Sequence, residues 1–161
     1  MPVSKTRKPT KRKKGPDGHI VVPISALSQE HPLECCAINS NWKDAHMANV
    51  IIVRKTTGGF TAVGFLVDTW GVGLKDVFMH KGLSRMGLDK LLTHSVDEDK
   101  AIDCPLALAQ ELVYGGLAWA RQHGFRIPGE VIRYLKILPA PLGEPDISRF
   151  GAEGGRPLLI F

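Results

Sequence analysis

Two stretches rich in Val, Ile and Phe, Ala48 to Lys55 and Phe60 to Asp68, flank the tetrad Thr56-Thr57-Gly58-Gly59. β-Branched and aromatic side chains suit a pleated, half-buried surface, and a Gly-Gly pair supplies the positive φ angles of tight hairpin turns. A β-hairpin is therefore expected at 48–68, and its apolar side chains need a second layer to bury them.

Helical spacing supplies that layer. From Pro105 onward, Leu108, Leu112, Val113, Leu117 and Ala120 recur at three- and four-residue steps until Gly124, with Asp103 or Cys104 at the cap. Gly115-Gly116 inside this helix costs about 1 kcal/mol per Gly relative to Ala, which points to close packing by another element. Pro128 to Leu138 predicts a further helix with Val131, Ile132, Leu135 and Leu138 inward, stopped by Pro139-Ala140-Pro141. Leu83 to Leu92 offers Leu83, Met86, Leu88, Leu91 and Leu92 to one helical face, and Lys75 to Lys81 predicts a short helix. Between hairpin and helices, Trp70-Gly71-Val72-Gly73-Leu74 predicts a loop by which the chain leaves the sheet.

Leu33 to Ile38 predicts a short strand, and residues 19–32, with Pro23 and Pro32, an extended segment lying on the domain. Ile147 to Phe161 predicts a second hairpin that turns at Gly151 to Gly155 and returns Leu158 to Phe161 to the sheet. The expected class is α+β: a small, mostly antiparallel sheet of two hairpins with three to four helices packed on one face, a single domain over 19–161.

The net charge of +5 is unevenly placed. Lys5, Arg7, Lys8, Lys11, Arg12, Lys13 and Lys14 fall in the first 14 residues with no acid among them, so the other 147 residues hold 14 basic and 16 acidic side chains, a balance of −2. Residues 1–18, with Pro2, Pro9, Pro16 and these like charges, bury too little apolar surface to offset chain entropy, and a disordered basic arm is expected. Composition excludes collagen-like and coiled-coil classes. No run approaches the ~18 apolar residues of a membrane span. The basic run leads into Gly15-Pro16-Asp17-Gly18-His19 rather than into the apolar core of a secretory signal. Cys35, Cys36 and Cys104 give an odd count without C-x-x-C spacing, which fits reduced thiols and a cytoplasmic protein.

Phe65-Leu66-Val67-Asp68 followed by Gly71-Val72-Gly73-Leu74-Lys75-Asp76 resembles a family of uncharacterised bacterial proteins with a phrase of the type GxFLVD…LGVKD. The family's GAxxYARxLGF helix has its counterpart in Gly115 to Phe125, and its FGxxGxPxxI strand in Phe150 to Ile160. The resemblance spans roughly residues 33–161, departing where the family often has Cys in place of Gly71 and where its members continue past the final strand. It implies a real domain and no particular activity, and the basic arm lies outside it.

Three functional classes are expected to compete. Seven cations within ten positions, spaced by Pro and Thr, suit phosphate backbones through counterion release, with a log–log salt slope of about −6 on duplex DNA if all seven engage. Such contacts carry little sequence information, and the arm has no aromatic residue for base stacking. This favours a non-enzymatic nucleic-acid-associated protein, RNA or ribonucleoprotein before DNA, on analogy with ribosome-associated tails of the same composition. Trp70, beside two glycines, becomes the candidate for stacking on a base if it is exposed. The arm's bland alternative is a solvated tail with no fixed partner.

The second class is a Mg²⁺-dependent nuclease or phosphodiesterase, with Asp68 and Asp76 as ligands, Lys75 on the phosphate and Glu111 as a third carboxylate. The same residues have a purely structural reading, in which Asp68 hydrogen-bonds the Gly71 to Gly73 loop. The third class is an interaction module whose helices dock in a larger assembly. Zinc spacing, a Gly-x-Ser-x-Gly elbow and a Gly-Lys-Ser/Thr phosphate loop are all absent from the sequence, so no resident metal or other cofactor is expected outside the Mg²⁺ reading.

Overall fold

The computed structural model describes residues 29–94 and 100–159. In chain order these form β1 (Leu33–Asn39), α1 (Trp42–Ala45), β2 (Met47–Thr56), β3 (Gly59–Asp68), β4 (Gly73–Leu83), α2 (Arg85–His94), β5 (Ala101–Asp103), α3 (Leu106–Gln122) and α4 (Gly129–Tyr134), the last continued by a 3₁₀ turn at Leu135–Ile137. The five strands make one antiparallel sheet in the order β4-β3-β2-β1-β5. The class is α+β.

The hairpin stands at the centre as β2 and β3, paired from Met47↔Asp68 to Thr56↔Gly59. The two-residue turn is Thr57-Gly58, and only the following Gly59 takes a positive φ, +123°. A Cβ at Gly59 would also lie 2.5 Å from the Leu83 carbonyl oxygen, so this glycine is needed twice over.

Val50 to Val53 is a continuous apolar run because the strand is covered on both sides. Val50, Ile52, Val63, Phe65 and Val67 join Leu112, Val113, Leu117 and Trp119 of α3 and Ile137 and Leu138 in the main core. Ile51, Val53, Phe60 and Ala62 meet Leu88, Leu91 and Leu92 of α2 on the opposite face. Helices expected on one face are thus divided between two, since a run apolar on both faces leaves neither free for water.

Further expectations change. Ile132, expected inward, is 40% exposed, and the long helix is preceded by Pro105 rather than capped by Asp103 or Cys104, Asp103 being the last residue of β5. Lys75 to Lys81, expected as a helix, lies inside β4: the Gly71–Gly73 turn returns the chain to pair with β3 instead of leaving the sheet. Val77 and Met79 then pack with the α3 core and Phe78 with the α2 side, the period-2 alternation that seven residues do not distinguish from a helix. Met86, expected inward, is 68% exposed, because α2 begins after Ser84, whose hydroxyl accepts the Gly87 N–H, and the apolar stripe runs through Leu88.

The C-terminal segment changes as well. Described residues 147–159 contain no strand; Gly151, Gly154 and Gly155 take positive φ, and Ala152 N–H donates to the Arg156 carbonyl, closing a tight loop before Pro157, which has no N–H to give a ladder. The segment touches the chain beyond β3 through Gly151 N–H to Thr69 O and Leu158 N–H to Trp70 O. Residues 160 and 161 lie outside the described residues.

The long helix ends as spacing predicts. His123 is the cap, Gly124 has φ +70°, its N–H donates to Arg121 O and that of Phe125 to Ala120 O, the paired bonds of a Schellman motif.

Candidate functional site

Carboxylate chemistry at the end of β3 depends first on what Asp68 touches. Its Oδ1 accepts the N–H groups of Trp70 and Gly71 at 3.2 and 2.8 Å, and Oδ2 accepts that of Val72 at 3.4 Å. The side chain builds the turn into β4. The Trp119 indole N–H donates to Gly71 O at 2.9 Å, and the two glycines of α3 receive their neighbours closely. A Cβ on Gly116 would sit 3.0 Å from Leu74 N, and one on Gly115 would sit 2.9 Å from Asp146 O and Phe150. Residues 65–76, 115–125 and the described part of 150–160 therefore meet at this turn.

The remaining carboxylates are placed apart. Asp76 is on the same sheet face as Phe78 and is exposed, while Lys75 is the extra residue of a β-bulge, since Leu66 pairs with Asp76 and Val67 with Leu74. Glu111 projects from α3, which packs on the other face, and both its oxygens engage Arg149 at 3.1–3.2 Å. Among the described residues, no three His, Cys, Asp or Glu side chains are grouped to hold a metal ion.

Trp70 is 36% exposed and stacks on His46, with ring centroids 3.4 Å apart and planes at 17°. His46 reaches this position from the left-handed cap of α1, φ +55°. One indole face is thus occupied by imidazole.

Lys5, Arg7, Lys8, Lys11, Arg12, Lys13 and Lys14 lie outside the described residues. The described chain begins at Gln29, next to a side chain that sequence patterns do not single out. Arg54, 5% exposed, follows the apolar run Val50 to Val53 and turns into the main-core side. Its Nε donates to Ile137 O at 2.9 Å and its Nη1 to His31 O at 2.8 Å and Gln29 O at 3.4 Å. Burial pulls its pKa below the usual guanidinium value. A cation closing an apolar strand is the one signal in the sequence; its carbonyl partners are 23 to 83 residues distant and have no sequence pattern.

Lys55 N–H donates to Pro32 O and Gln29 Nε2 to Lys136 O, so residues 29–32 are tied to the end of β2 and to the end of the 3₁₀ turn. Trp70, by contrast, follows the end of β3 that pairs with the start of β2. A strand of this length separates the two ends by about 30 Å, at roughly 3.3 Å per residue.

Comparison with family models, curated proteins and solved structures gives no match for this chain. Among the described residues no helix is long and apolar enough to cross a membrane.

Proposed function

We propose that the chain is a nucleic-acid-associated protein that holds RNA, or a ribonucleoprotein, through the basic run Lys5 to Lys14, with no catalytic step of its own. The observation that carries this is the run itself, seven cations without an acid, against a remainder whose formal balance is −2.

The carboxylates give the nuclease reading less support. Asp68 spends its oxygens on three backbone N–H groups, and Glu111 is paired with Arg149 on the far side of the sheet. The interaction-module reading has no observation in its favour beyond exposed side chains.

Binding of fluorescent RNA hairpins, RNA duplexes and DNA duplexes at several salt concentrations tests the proposal. The intact chain is expected to show a log–log slope of about −6 if all seven cations engage, falling toward zero when Lys5, Arg7, Lys8, Lys11, Arg12, Lys13 and Lys14 are all changed to Gln. Equal affinity of the two proteins at low and at high salt overturns it. The nucleic acid that copurifies at low salt, once sequenced, tells RNA from DNA.

A further inference from the structure

The three cysteines fall on two sides of the sheet. Cys35 and Cys36 are consecutive in β1 and point to opposite faces, Cys35 toward the α2 side and Cys36 into the main core. Cys104 lies in the same core as Cys36, and all three thiols are free. The register of β1 on β5 runs Ala37↔Asp103, Ile38↔Ile102 and Asn39↔Ala101, and carried one residue further it sets Cys36 directly opposite Cys104. The Cys104 N–H donates to the Cys36 carbonyl oxygen at 2.9 Å, so the pairing continues to these two residues.

Opposed residues of a hydrogen-bonded antiparallel pair have Cα atoms about 5.5 Å apart, inside the roughly 4.4–6.8 Å that a disulfide spans. Their Cβ atoms stand at up to about 5.5 Å and a disulfide holds them at roughly 3.5–4.5 Å, so closure needs an approach of about 1 Å. β5 can supply it, being three residues long, at the edge of the sheet and paired with β1 alone.

The same strand decides access. Both thiols are buried, at 5% and 3% exposure, and burial keeps them protonated, so the closed sheet is unreactive. Parting β5 from β1 breaks one short ladder, whose middle residue Ile102 is already 44% exposed, and uncovers both thiols. Short edge elements are drawn from the low-stability end of a fold and open locally in this way.

We infer that Cys36 and Cys104 are a redox-active pair that closes to a cross-strand disulfide in the native register when the surrounding thiol–disulfide pool turns oxidising. The oxidant is a low-molecular-weight disulfide such as oxidised glutathione. In the opened edge the Cys104 thiolate attacks one of its sulfurs and expels a glutathione thiolate; the Cys36 thiolate then attacks the Cys104 sulfur of the mixed disulfide and expels the second. Two protein thiols are oxidised, one glutathione disulfide is reduced to two thiols, and the two protons pass from the cysteines to glutathione. The bond encloses β2 to β5 and stabilises chiefly by restricting the unfolded chain. Cys104 adjoins Pro105, where α3 begins, so the clasp also fixes the entry of the long helix to the sheet.

The full-length chain is held in excess oxidised glutathione under native conditions, then alkylated, digested and mapped by mass spectrometry. A peptide linked through Cys36 and Cys104 is expected, with Cys35 carrying a glutathione adduct. Thermal unfolding is compared in Cys35→Ser, where that adduct cannot form: the oxidised form is expected to melt several degrees above the reduced one, and adding Cys36→Ala or Cys104→Ala to abolish the difference. The linkage map of the intact chain stands whether or not those variants fold. Cys36 and Cys104 remaining free thiols, a native link from either to Cys35, or an oxidised form that melts at or below the reduced one overturns the inference.

Discussion

The indole N–H of Trp119 donates to the Gly71 carbonyl oxygen at 2.9 Å, fastening the C-terminal half of α3 to the turn between β3 and β4. Both partners are buried, so the bond is shielded from exchange with water and its acceptor has no substitute when the donor is removed. Trp119→Phe is expected to lose about 1–3 kcal/mol in urea unfolding, the cost of an unsatisfied buried acceptor. An unchanged unfolding midpoint would show that the turn finds another donor.

Asp68 acts on the same turn from the other side. Asp68→Asn keeps an acceptor oxygen but loses the charge that strengthens three N–H bonds, and a stability loss of about 1–2 kcal/mol is expected. The loss should be equal with and without Mg²⁺, as measured by chemical denaturation. A difference that appears only with Mg²⁺ would return Asp68 to the ligand role.

Gly73 and Gly124 separate backbone strain from collision. Both have positive φ, +77° and +70°, but a Cβ on Gly73 would lie 2.4 Å from Gly116 O, whereas Gly124 has nothing within 4 Å. Gly124→Ala is expected to cost about 1–2 kcal/mol, the left-handed penalty alone, and Gly73→Ala about 3 kcal/mol or more. Equal melting temperatures for the two variants would contradict the close approach of β4 to α3.

Arg54 holds residues 29–31 and the end of the 3₁₀ turn together. Arg54→Met is expected to cost about 2–3 kcal/mol, and Arg54→Lys to recover little of it, since a single ammonium does not span carbonyls on separate segments as the planar guanidinium does. Hydrogen exchange should speed up at 29–38 and 135–138 before it does in α3. Uniform acceleration across the chain would point to a general rather than a local tie.

The thiols give a pH prediction. Burial pushes the Cys104 thiol up to about 12 and Cys36 up to about 11, from 9.0 in the unfolded chain. Folding therefore favours the protonated thiols: their contribution is fully present below pH 9 and is lost as pH rises from 9 toward 12. The Cys36→Ala, Cys104→Ala double variant should show a shallower decline of unfolding free energy across the lower half of that window. Cys35, half-buried, should react with a thiol reagent before the other two.

Much of the architecture is legible in the sequence because local chemistry specifies it. Val50 to Val53 and Phe60 to Val67 are apolar enough to declare a buried pair of strands, Thr57-Gly58-Gly59 turns them, and Gly124 stops α3. The Gly115-Gly116 pair announces close packing without saying by what; Leu74 and the 146–150 segment fill those places. Lys75 to Lys81 is legible in neither direction, because seven residues of mixed polarity fit either period, and the free edge of β3 makes the choice. Of the candidate site residues, Asp68 carries both its readings in sequence, and only the positions of three N–H groups separate them.

The sequence by itself determined the central hairpin, the long helix with its Gly124 stop and the seven-cation run, because each rests on side-chain type and spacing within one segment. The partner of each face was decided only by the tertiary structure. α2 covers Ile51 and Val53, Arg54 reaches the carbonyls of Gln29, His31 and Ile137, and Cys104 comes to face Cys36. These are contacts between distant segments, and a backbone carbonyl leaves no residue-type signature from which such a contact is read.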